Sequence, residues 1–436
     1  MKQPVNVGLI GLGTVGFGVA RALQERAHLL EERIGTRLVL KRVCDRDSKR
    51  AKLLHIPAAR FTTDAKVILR DPDIHIVVEL IGGIDPAKTF ILEALKAGKH
   101  VVTANKALLA EKGSELFAAA DRYGADLYFE ASVGGGIPII KALREGLIAN
   151  HFDAILGIVN GTSNYILTQM REKQISFHDA LLEAKQHGYA ERDPSLDIDG
   201  HDAAHKLAIL AWLGFGARVP LSAIQTDGIS HISLADIQYA DEMGYCIKPL
   251  AIAKQADRKL ELRVHPTLLA KSHLLANVNG VYNAIYVHGD LVGAELFYGR
   301  GAGQNATSSA VVADLADVAR NVMHGIAKRV PAYCPTRSPL RLRKLDEIET
   351  RYYLRFMVID KPGVLATIAS ILGRHHISIA TVHQKERRAA KIVPVVMMTH
   401  EAREADLRKA LDVISRLAVI KAKTVAIRTE APRRPS

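Results

Sequence analysis

Short apolar runs alternate with helical patterns over the first 130 residues, and this alternation restricts the chain to few architectures. The apolar runs cover residues 5–10, 37–45, 74–80, 99–103 and 126–130. Between them, apolar residues recur at helical spacing. Strands that alternate with helices in this way predict a doubly wound parallel sheet of the α/β class.

A glycine-rich turn joins the first predicted strand to the first predicted helix. The positions expected to contact a ligand there are Gly11, Gly13, Thr14, Val15 and Gly16. Glycines permit a tight turn and a close approach of the main chain, and the first amides of a helix attract an anion. The turn therefore predicts a Rossmann-type site for a dinucleotide.

Charged residues after the second run leave the type of nicotinamide cofactor open. Asp45 is placed to accept a hydrogen bond from a ribose 2′-hydroxyl, which favours NAD. Arg46, Lys49 and Arg50 would instead bind the 2′-phosphate of NADP. The residues favour neither cofactor.

The pattern changes after residue 135. Longer helical stretches with β-rich runs near 154–159, 260–266 and 280–287 predict an α+β substrate and dimerisation domain, whose last helical segment returns to the first domain. Prolines then predict a linker, and the order βαββαβ beyond it predicts a ferredoxin-like domain. The predicted boundaries are 1–135 for the dinucleotide domain, 136–330 for the catalytic domain, 331–350 for the linker and 351–430 for the C-terminal domain.

Composition narrows the class of protein. A net charge of +13 favours anionic ligands, but no basic run is interleaved with aromatic residues, so no nucleic-acid partner is predicted. No run reaches the ~18 apolar residues of a membrane span. Glycines in the N-terminal apolar stretch argue against a signal peptide. We expect a cytoplasmic enzyme.

Three widely spaced cysteines limit the chemistry further. Cys44, Cys246 and Cys334 cannot form a disulfide framework or a four-thiolate zinc site. None follows a pattern typical of a catalytic nucleophile, which argues against a phosphorylating semialdehyde dehydrogenase.

Two segments supply polar residues near predicted strand ends. Thr103 ends a strand and Lys106 follows it, at the sheet edge where ligands of open α/β folds bind. Asn160 and Thr162 lie in a turn that either binds a ligand or caps a helix, with Thr162 or Asn164 as the expected cap.

The richest segment is an acidic loop followed by a mostly apolar helix. Glu191 and Asp197 could hold the ammonium group of an amino acid. Asp202 and Lys206 are spaced i, i+4 on one helix face, and a lysine there could polarise or protonate a carbonyl oxygen. His201 and His205 have the spacing of the HExxH zinc motif, with aspartate in place of glutamate, but the sequence shows no clear third zinc ligand.

These motifs occur in the order of a known family. The segments GLGTVG, TANKALLA, GIVNGTSNYIL, AERDPSLDIDGHDAAHK and YGRGAG resemble homoserine dehydrogenases with a C-terminal ACT regulatory domain. The resemblance implies reversible, NAD- or NADP-dependent reduction of L-aspartate 4-semialdehyde to L-homoserine. It also implies a place in threonine, methionine and isoleucine biosynthesis.

The resemblance further implies roles for individual residues. Lys206 and Lys106 would serve proton transfer and substrate binding, with Asp202 beside Lys206, while Glu191 and Asp197 bind substrate. A sodium-type site would consist of the Glu130 side chain and the main-chain oxygens of Val133, Gly135 and Ile137. Gly301 and Gly303 would approach the cofactor or close a hinge. Ala306 occupies a position where the family usually has proline.

For the C-terminal domain, the resemblance implies an amino-acid site. Asp360, Pro362, Gly363 and Val364 match the ligand loop of ACT domains, with L-threonine as the implied effector between paired domains of a homodimer or homotetramer. Two alternatives stay open. The domain could be a structural module that senses nothing, and the whole chain could be a non-catalytic amino-acid sensor on a dehydrogenase scaffold.

Overall fold

The computed structural model describes residues 3–331, 340–384 and 391–430. The elements up to residue 130 are β1 (Val5–Ile10), α1 (Thr14–Glu25), α2 (Ala27–Ile34), β2 (Leu38–Cys44), α3 (Lys49–Leu53), β3 (Phe61–Thr62), α4 (Lys66–Leu69), β4 (Ile76–Glu79), α5 (Ala87–Lys96), β5 (His100–Thr103), α6 (Lys106–Tyr123) and β6 (Leu127–Tyr128).

The middle of the chain contains long helices and long strands. Its elements are α7 (Ile139–Lys141), β7 (Phe152–Ile158), α8 (Gly161–Lys173), α9 (Phe177–Gln186), α10 (Ser195–Ile198), α11 (His201–Phe215), β8 (Gln225–Thr226), α12 (Leu234–Glu242), β9 (Tyr245–Ala256), β10 (Lys259–Ala270), β11 (Tyr282–Gly289), β12 (Gly293–Arg300) and α13 (Gln304–Met323).

The C-terminal part adds seven strands and two helices among the described residues. They are β13 (Arg341–Leu342), β14 (Glu349–Thr350), β15 (Tyr352–Ile359), α14 (Val364–Arg374), β16 (Ile379–His383), β17 (Ile392–Thr399), β18 (Ala402–Arg403), α15 (Glu404–Ser415) and β19 (Val425–Glu430). In the part of the chain that the structure describes, no helix is long and apolar enough to cross a membrane.

The chain forms two compact units. The first contains the described residues of Met1–Ile155, His205–Ala223 and Asn283–Pro339, and the second contains those of Leu156–Ala204, Ile224–Tyr282 and Leu340–Ser436. The predicted linker falls in two parts. Cys334 and the rest of 332–339 lie outside the described residues, whereas β13 pairs with β10 and β14 pairs with β18.

A parallel sheet forms the centre of the first unit. Its strand order is β3-β2-β1-β4-β5-β6, which is the doubly wound order of dinucleotide-binding sheets. The central strands β1, β4 and β5 are almost entirely buried, as parallel strands between helices are. The order changes direction between β1 and β4, and the glycine turn lies at the carboxyl end of β1. The sequence predicted this architecture correctly.

Helix α13 packs on the same sheet. Apolar side chains of α13, among them Val311, Leu315 and Val318, share one core with β1, β2 and β4. Ser308 Oγ donates to the main-chain oxygen of Val15 on α1 at 3.1 Å. This segment thus packs on the parallel sheet, and its helix ends at Met323 and not at residue 330.

In the second unit, one sheet contains the strand order β9-β10-β19-β15-β17-β16, and the short strands β8 and β13 also pair with β10. Strands β19, β15, β17 and β16 give the order 4-1-3-2 of the βαββαβ fold, with α14 and α15 packed on one face. The predicted ferredoxin-like domain is therefore confirmed. Its strand β19 pairs with β10 as well as with β15, so the domain continues the sheet of the preceding segment.

Two predicted elements differ from the structure in their extent, and one long strand was not predicted. The first helix, expected as one segment over 15–30, breaks at Arg26 into α1 and α2. The 12-residue strand β9 was not predicted, because lysines and a proline interrupt its apolar pattern. The last strand, expected over 419–427, lies at Val425–Glu430.

Candidate active site

The glycine turn is as tight as its sequence predicts. Gly11 has a φ of 99°, and a Cβ atom there would lie 2.7 Å from the carbonyl group of Leu80. A Cβ atom at Gly16 would overlap the main-chain oxygen of Gly11. A larger residue at either position would displace the backbone of the turn.

The turn leaves the first amides of α1 available to a ligand. Gly13 is the N-cap of α1 and has no side chain that could accept hydrogen bonds from these amides. The atom nearest to a Cβ position on Gly13 is Nη1 of Arg50, at 3.9 Å. This opening fits a pyrophosphate on the amides of Thr14 and Val15, because the helix dipole and the unpaired N–H groups favour an anion.

Asp45 and Arg50 lie beside the same turn. The Asp45 carboxylate accepts hydrogen bonds from the amides of Leu12, at 2.5 Å, and Asp47, at 3.0 Å. Arg50 Nη1 donates to the main-chain oxygen of Leu12 at 3.2 Å, and Arg46 is exposed. A carboxylate and a guanidinium group are both in place, so the geometry accommodates either nicotinamide dinucleotide.

Thr103 and Lys106 lie at the carboxyl edge of β5, next to a buried carboxylate. Thr103 Oγ1 donates to Glu79 at 2.7 Å and accepts from the amide of Asn105 at 3.1 Å. Asn105 Nδ2 donates to the main-chain oxygen of Gly83 at 2.7 Å. Burial raises the pKa of Glu79. The network joins the loops after β4 and β5 and so positions Lys106, the first residue of α6.

Asn160 connects two of the predicted site carboxylates. Its Nδ2 donates to Asp197 Oδ1 at 2.7 Å and to Asp202 Oδ2 at 2.8 Å. Its Oδ1 accepts from the amide of Ser163 at 2.9 Å. Asp202 lies one turn before Lys206 on α11, and both side chains are buried. One amide group therefore holds the carboxylates of Asp197 and Asp202 close to each other.

The cap of α8 is Asn160, so the predicted capping by Thr162 or Asn164 is wrong. Thr162 Oγ1 donates instead to the main-chain oxygen of Tyr189 at 2.7 Å, which ties α8 to the acidic loop. Asn164 Nδ2 lies within hydrogen-bond distance of three main-chain oxygens of the segment 278–282, those of Val278, Gly280 and Tyr282. Asn160 thus caps α8 and also donates to two carboxylates.

The acidic loop also contains exposed residues. Glu191 is exposed, one residue after the buried Ala190. His201 is exposed at the start of α11, whereas His205 is half-buried. Within residues 3–331, 340–384 and 391–430, no group of three or more His, Cys, Asp or Glu side chains could hold a metal ion.

The predicted cation residues lie in a buried turn of the first unit. Glu130 Oε1 and Oε2 accept hydrogen bonds from the amides of Ile140, at 2.8 Å, and Lys141, at 2.7 Å. Burial raises the pKa of Glu130 to about 7. The amide of Glu130 donates to Asp314 at 2.8 Å, and burial raises the pKa of that carboxyl strongly as well. Two buried carboxyl groups therefore lie beside this turn.

The other members of the predicted cation set are main-chain oxygens of the same turn. Val133, Gly135 and Ile137 are all buried. Gly135 has a φ of 56°, and a Cβ atom there would overlap the main-chain carbonyl of Gly301. Hard oxygen ligands of this kind suit a monovalent or divalent hard cation, so the residues present fit such an ion.

Gly301 and Gly303 differ in their surroundings. A Cβ atom at Gly301 would overlap the side chain of Asn283, so this glycine allows close packing inside the first unit. Gly303 has a φ of 110°, forms the N-cap of α13 and faces open space. Ala306 lies in the first turn of α13, where proline and alanine are both tolerated, so the departure from the family pattern requires no change in the helix.

The four predicted regulatory residues line one cavity. A cavity of about 300 Å³ is bordered by Asp360, Pro362, Gly363 and Val364, together with Gln384. Gly363 has a φ of 88° and is the N-cap of α14, so the first amides of that helix border the cavity. Amides at a helix N-terminus suit the carboxylate of an amino acid.

Both described cysteines are unsuited to nucleophilic catalysis. Burial raises the pKa of Cys44 to about 11, and burial also raises the pKa of Cys246. A thiol with a raised pKa has little thiolate at neutral pH.

Family models cover most of the chain. The model of the homoserine dehydrogenase NAD binding domain matches residues 11–130, the homoserine dehydrogenase model matches 138–316, and the ACT domain model matches 352–419. The homoserine dehydrogenase of Neisseria gonorrhoeae is 45% identical over 432 residues, which span 98% of this chain and 99% of the relative. The chain belongs to the homoserine dehydrogenase family. It is therefore an NAD(P)-dependent oxidoreductase that acts on a CH–OH group.

Solved structures agree with this assignment. The homoserine dehydrogenase of Thiobacillus denitrificans superimposes with a TM-score of 0.92 and 45% identity, and it covers 99% of both chains. A hyperthermophilic archaeal homoserine dehydrogenase, solved in complex with NADPH, has a TM-score of 0.62 and 28% identity over 72% of this chain. The recognised family, the enzyme class and the ACT domain were thus predicted correctly from the sequence.

Glu79 and the bridging role of Asn160 were not predicted. Glu79 ends a strand of apolar residues, and an acid in that position is the signal that could have identified it. The two bonds from Asn160 to Asp197 and Asp202 join residues 37 and 42 positions apart. Sequence spacing carries no information on such contacts.

Proposed function

We propose that this homoserine dehydrogenase interconverts L-homoserine and L-aspartate 4-semialdehyde, with Lys206 as the proton donor and acceptor. The observation that carries the proposal is the Asn160 bridge between Asp197 and Asp202. In this proposal the two bridged carboxylates have different roles: Asp197 binds the substrate, and Asp202 orients Lys206. Dinucleotide binding is proposed for residues 1–135, substrate binding and catalysis for 136–330, and regulation for 351–430 beyond a linker at 331–350.

In this proposal, Asp197 and the exposed Glu191 bind the substrate ammonium group, and Asn160 keeps Asp197 in place. The bound nicotinamide supplies or accepts hydride at the carbon that carries the oxygen. The Lys206 ammonium donates a proton to the oxygen during reduction and accepts it during oxidation. Thr162 ties α8 to the loop before Glu191 through its bond to Tyr189.

Lys106 is proposed to bind the substrate at the carboxyl edge of the parallel sheet. The support is its position as the first residue of α6. Lys106 directly follows Asn105, whose amide donates to Thr103, and Thr103 in turn donates to Glu79. Gly303 is proposed to border the cofactor because it faces open space at the start of α13.

For the cofactor, we propose that the site takes NADPH or NADH and that Arg50 binds the 2′-phosphate of NADPH. Arg50→Ala is expected to raise the KM for NADPH about tenfold and to leave the KM for NADH within about twofold, because a charge-assisted bond to the 2′-phosphate is lost. Initial rates with both cofactors measure this. Lys52→Ala, which removes an exposed cation from the same helix, is the control. Equal changes for NADPH and NADH would contradict a contact of Arg50 with the 2′-phosphate.

We also propose a monovalent cation, of the sodium type, at Glu130 with the main-chain oxygens of Val133, Gly135 and Ile137. A buried carboxylate whose pKa is raised supports it, because a cation would stabilise the ionised form. The role of the ion in this proposal is to hold the turn, and no chemical step passes through it.

The C-terminal domain is proposed to bind L-threonine in the cavity beside Asp360, Pro362, Gly363 and Val364. The support is that these four residues and the first amides of α14 border the same cavity. Feedback by a product of the pathway would make the enzyme a control point of threonine, methionine and isoleucine biosynthesis. We also propose that the enzyme is cytoplasmic and that it forms a homodimer or homotetramer in which the ACT domains pair.

The test follows nicotinamide absorbance with purified protein and L-aspartate 4-semialdehyde. Turnover with NADPH, and a lower rate in the presence of L-threonine, are the expected results. D-threonine at the same concentration is the control for a nonspecific effect. A folded protein that binds nucleotide but turns over neither cofactor would contradict the catalytic proposal and favour a non-catalytic sensor.

A further inference from the structure

One segment of the second unit contacts both the ACT domain and the loop that contains Asp197. This coupling segment runs from Asp227 to Asp236, and an arginine of the ACT domain binds each of its ends. Arg428 Nη1 donates to Asp227 Oδ2 at 3.0 Å, and Arg355 donates to both carboxylate oxygens of Asp236, at 2.6 and 3.0 Å. The segment is thus attached to two strands of the ACT domain, β15 and β19.

The coupling segment also contacts the substrate turn, which we define as residues 194–200. The amide of Ile229 donates to the main-chain oxygen of Ile198 at 2.9 Å. A Cβ atom at Gly228 would lie 2.7 Å from that same oxygen and 2.9 Å from Cα of Asp199. The two backbones are therefore packed without a gap, and a shift of Gly228 displaces the substrate turn.

The substrate turn holds Asp197 between two anchors. The Asp197 side chain accepts from Asn160 at 2.7 Å, and its main-chain oxygen accepts from Ser163 Oγ at 2.8 Å. Both anchors lie at the start of α8. A displacement of the turn relative to α8 changes the position of the carboxylate that is proposed to bind the substrate ammonium group.

The two arginine contacts differ in how firmly they are held. Asp236 is fully buried and also accepts from Tyr353 Oη at 2.9 Å and from Ser233. The Asp227 side chain is 39% exposed, and its partner Arg428 already forms two bonds with Glu404 of α15, at 2.8 and 2.6 Å. Arg428 stays paired when the bond to Asp227 breaks, so this bond can open at low cost.

We propose that Asp227 is a positioning residue that links the ACT domain to the substrate turn through Arg428. The inference rests on the proposed role of Asp197 in substrate binding. While the bond between Arg428 and Asp227 is formed, Asp227 is held in place, and Gly228 keeps the substrate turn in position to bind substrate. Movement of β19 relative to β10 opens the bond and loosens the turn, which weakens substrate binding without affecting the nicotinamide site.

The experiment compares Asp227→Asn and Asp227→Glu with Asp241→Asn in the full-length enzyme. Asp241 is the matched control because its half-exposed carboxylate pairs with Lys271 at 3.0 Å, outside the ACT domain. Asp227→Asn is expected to raise the KM for L-homoserine roughly threefold to tenfold. The kcat and the KM for the nicotinamide cofactor stay within about twofold, Asp227→Glu restores most of the substrate affinity, and Asp241→Asn matches the wild type.

Hydrogen exchange gives a second measurement that does not depend on turnover. Asp227→Asn is expected to speed amide exchange in residues 194–200 and to leave exchange in α1 unchanged. Wild-type KM together with wild-type exchange would overturn the proposal. If the wild type itself shows no turnover, the proposed function fails, and the exchange rates in 194–200 alone then decide whether Asp227 positions the turn.

Discussion

Lys206→Met is expected to lower kcat on the order of a thousandfold in both directions of the reaction while leaving nicotinamide binding unchanged. Methionine keeps most of the volume of the buried side chain but can neither donate a proton nor stabilise a developing alkoxide. The glycine turn, which binds the nicotinamide cofactor in this proposal, contains no part of α11. Steady-state rates and cofactor fluorescence titration measure the two effects separately.

Two further variants make this test specific. Lys112→Met removes an exposed lysine of α6 and is expected to behave as the wild type. Lys106→Met is expected to raise the KM for L-homoserine more than it lowers kcat, because Lys106 is proposed to bind substrate. A Lys206→Met enzyme that keeps more than about a tenth of the activity would assign proton transfer to another group, and a larger kcat loss for Lys106→Met would identify that group.

Glu130 is expected to make the stability of the enzyme depend on pH and on sodium. Its pKa in the folded protein is raised from 4.5 to about 7, so the folded state holds the proton more tightly than the unfolded state. The stability associated with the protonated form is fully present below pH 4.5 and is lost as the pH rises through 7. The full loss amounts to about 3 kcal/mol in the absence of a bound cation.

Denaturant midpoints at pH 5, 6, 7 and 8 measure this effect. In choline chloride the wild type should lose stability across the series, and in sodium chloride of equal ionic strength the loss should shrink, because a bound ion stabilises the carboxylate. Glu130→Gln should show a flatter profile in both salts, with a lower starting value because Gln accepts only one of the two amide bonds. Glu145→Gln, at a half-buried ion pair with Arg329, is the control. Identical profiles in the two salts would refute the cation site.

The sequence predicted most of the fold because local patterns determine it. Alternating apolar runs predicted the parallel sheet, and the glycines at 11, 13 and 16 predicted the turn after β1. These signals depend on neighbours in the chain, which is why strand β1 and helix α11 begin where they were expected.

The errors arise where distant residues compensate for an unfavourable local sequence. Strand β9 contains Lys248, which is buried and donates to the main-chain oxygen of Val278 at 2.6 Å and to Asn279 at 2.8 Å. Strand β19 ends with the buried Glu430, which pairs with Lys254 of β9 and Arg263 of β10. Polar residues in these strands conceal the apolar pattern, and only their partners elsewhere in the chain explain the burial.

The candidate site could be predicted in part. Motif resemblance named Asp197, Asp202 and Lys206, and the structure brings Asp197 and Asp202 to one amide group. That amide group, on Asn160, could not be inferred, because the helices that present these residues are separated by α9 and a loop. Long-range packing alone sets the distance between them.

The shared sheet of the second unit has a consequence for protein engineering. Strand β19 lies between β10 and β15, with Thr267, Leu268 and Leu269 of β10 paired to Arg428, Thr429 and Glu430. Truncation of the ACT domain would expose this edge of β10 and create a template for aggregation. A variant that tests the proposed regulation is therefore better made by point substitution in the cavity beside Asp360 and Gly363 than by deletion of the domain.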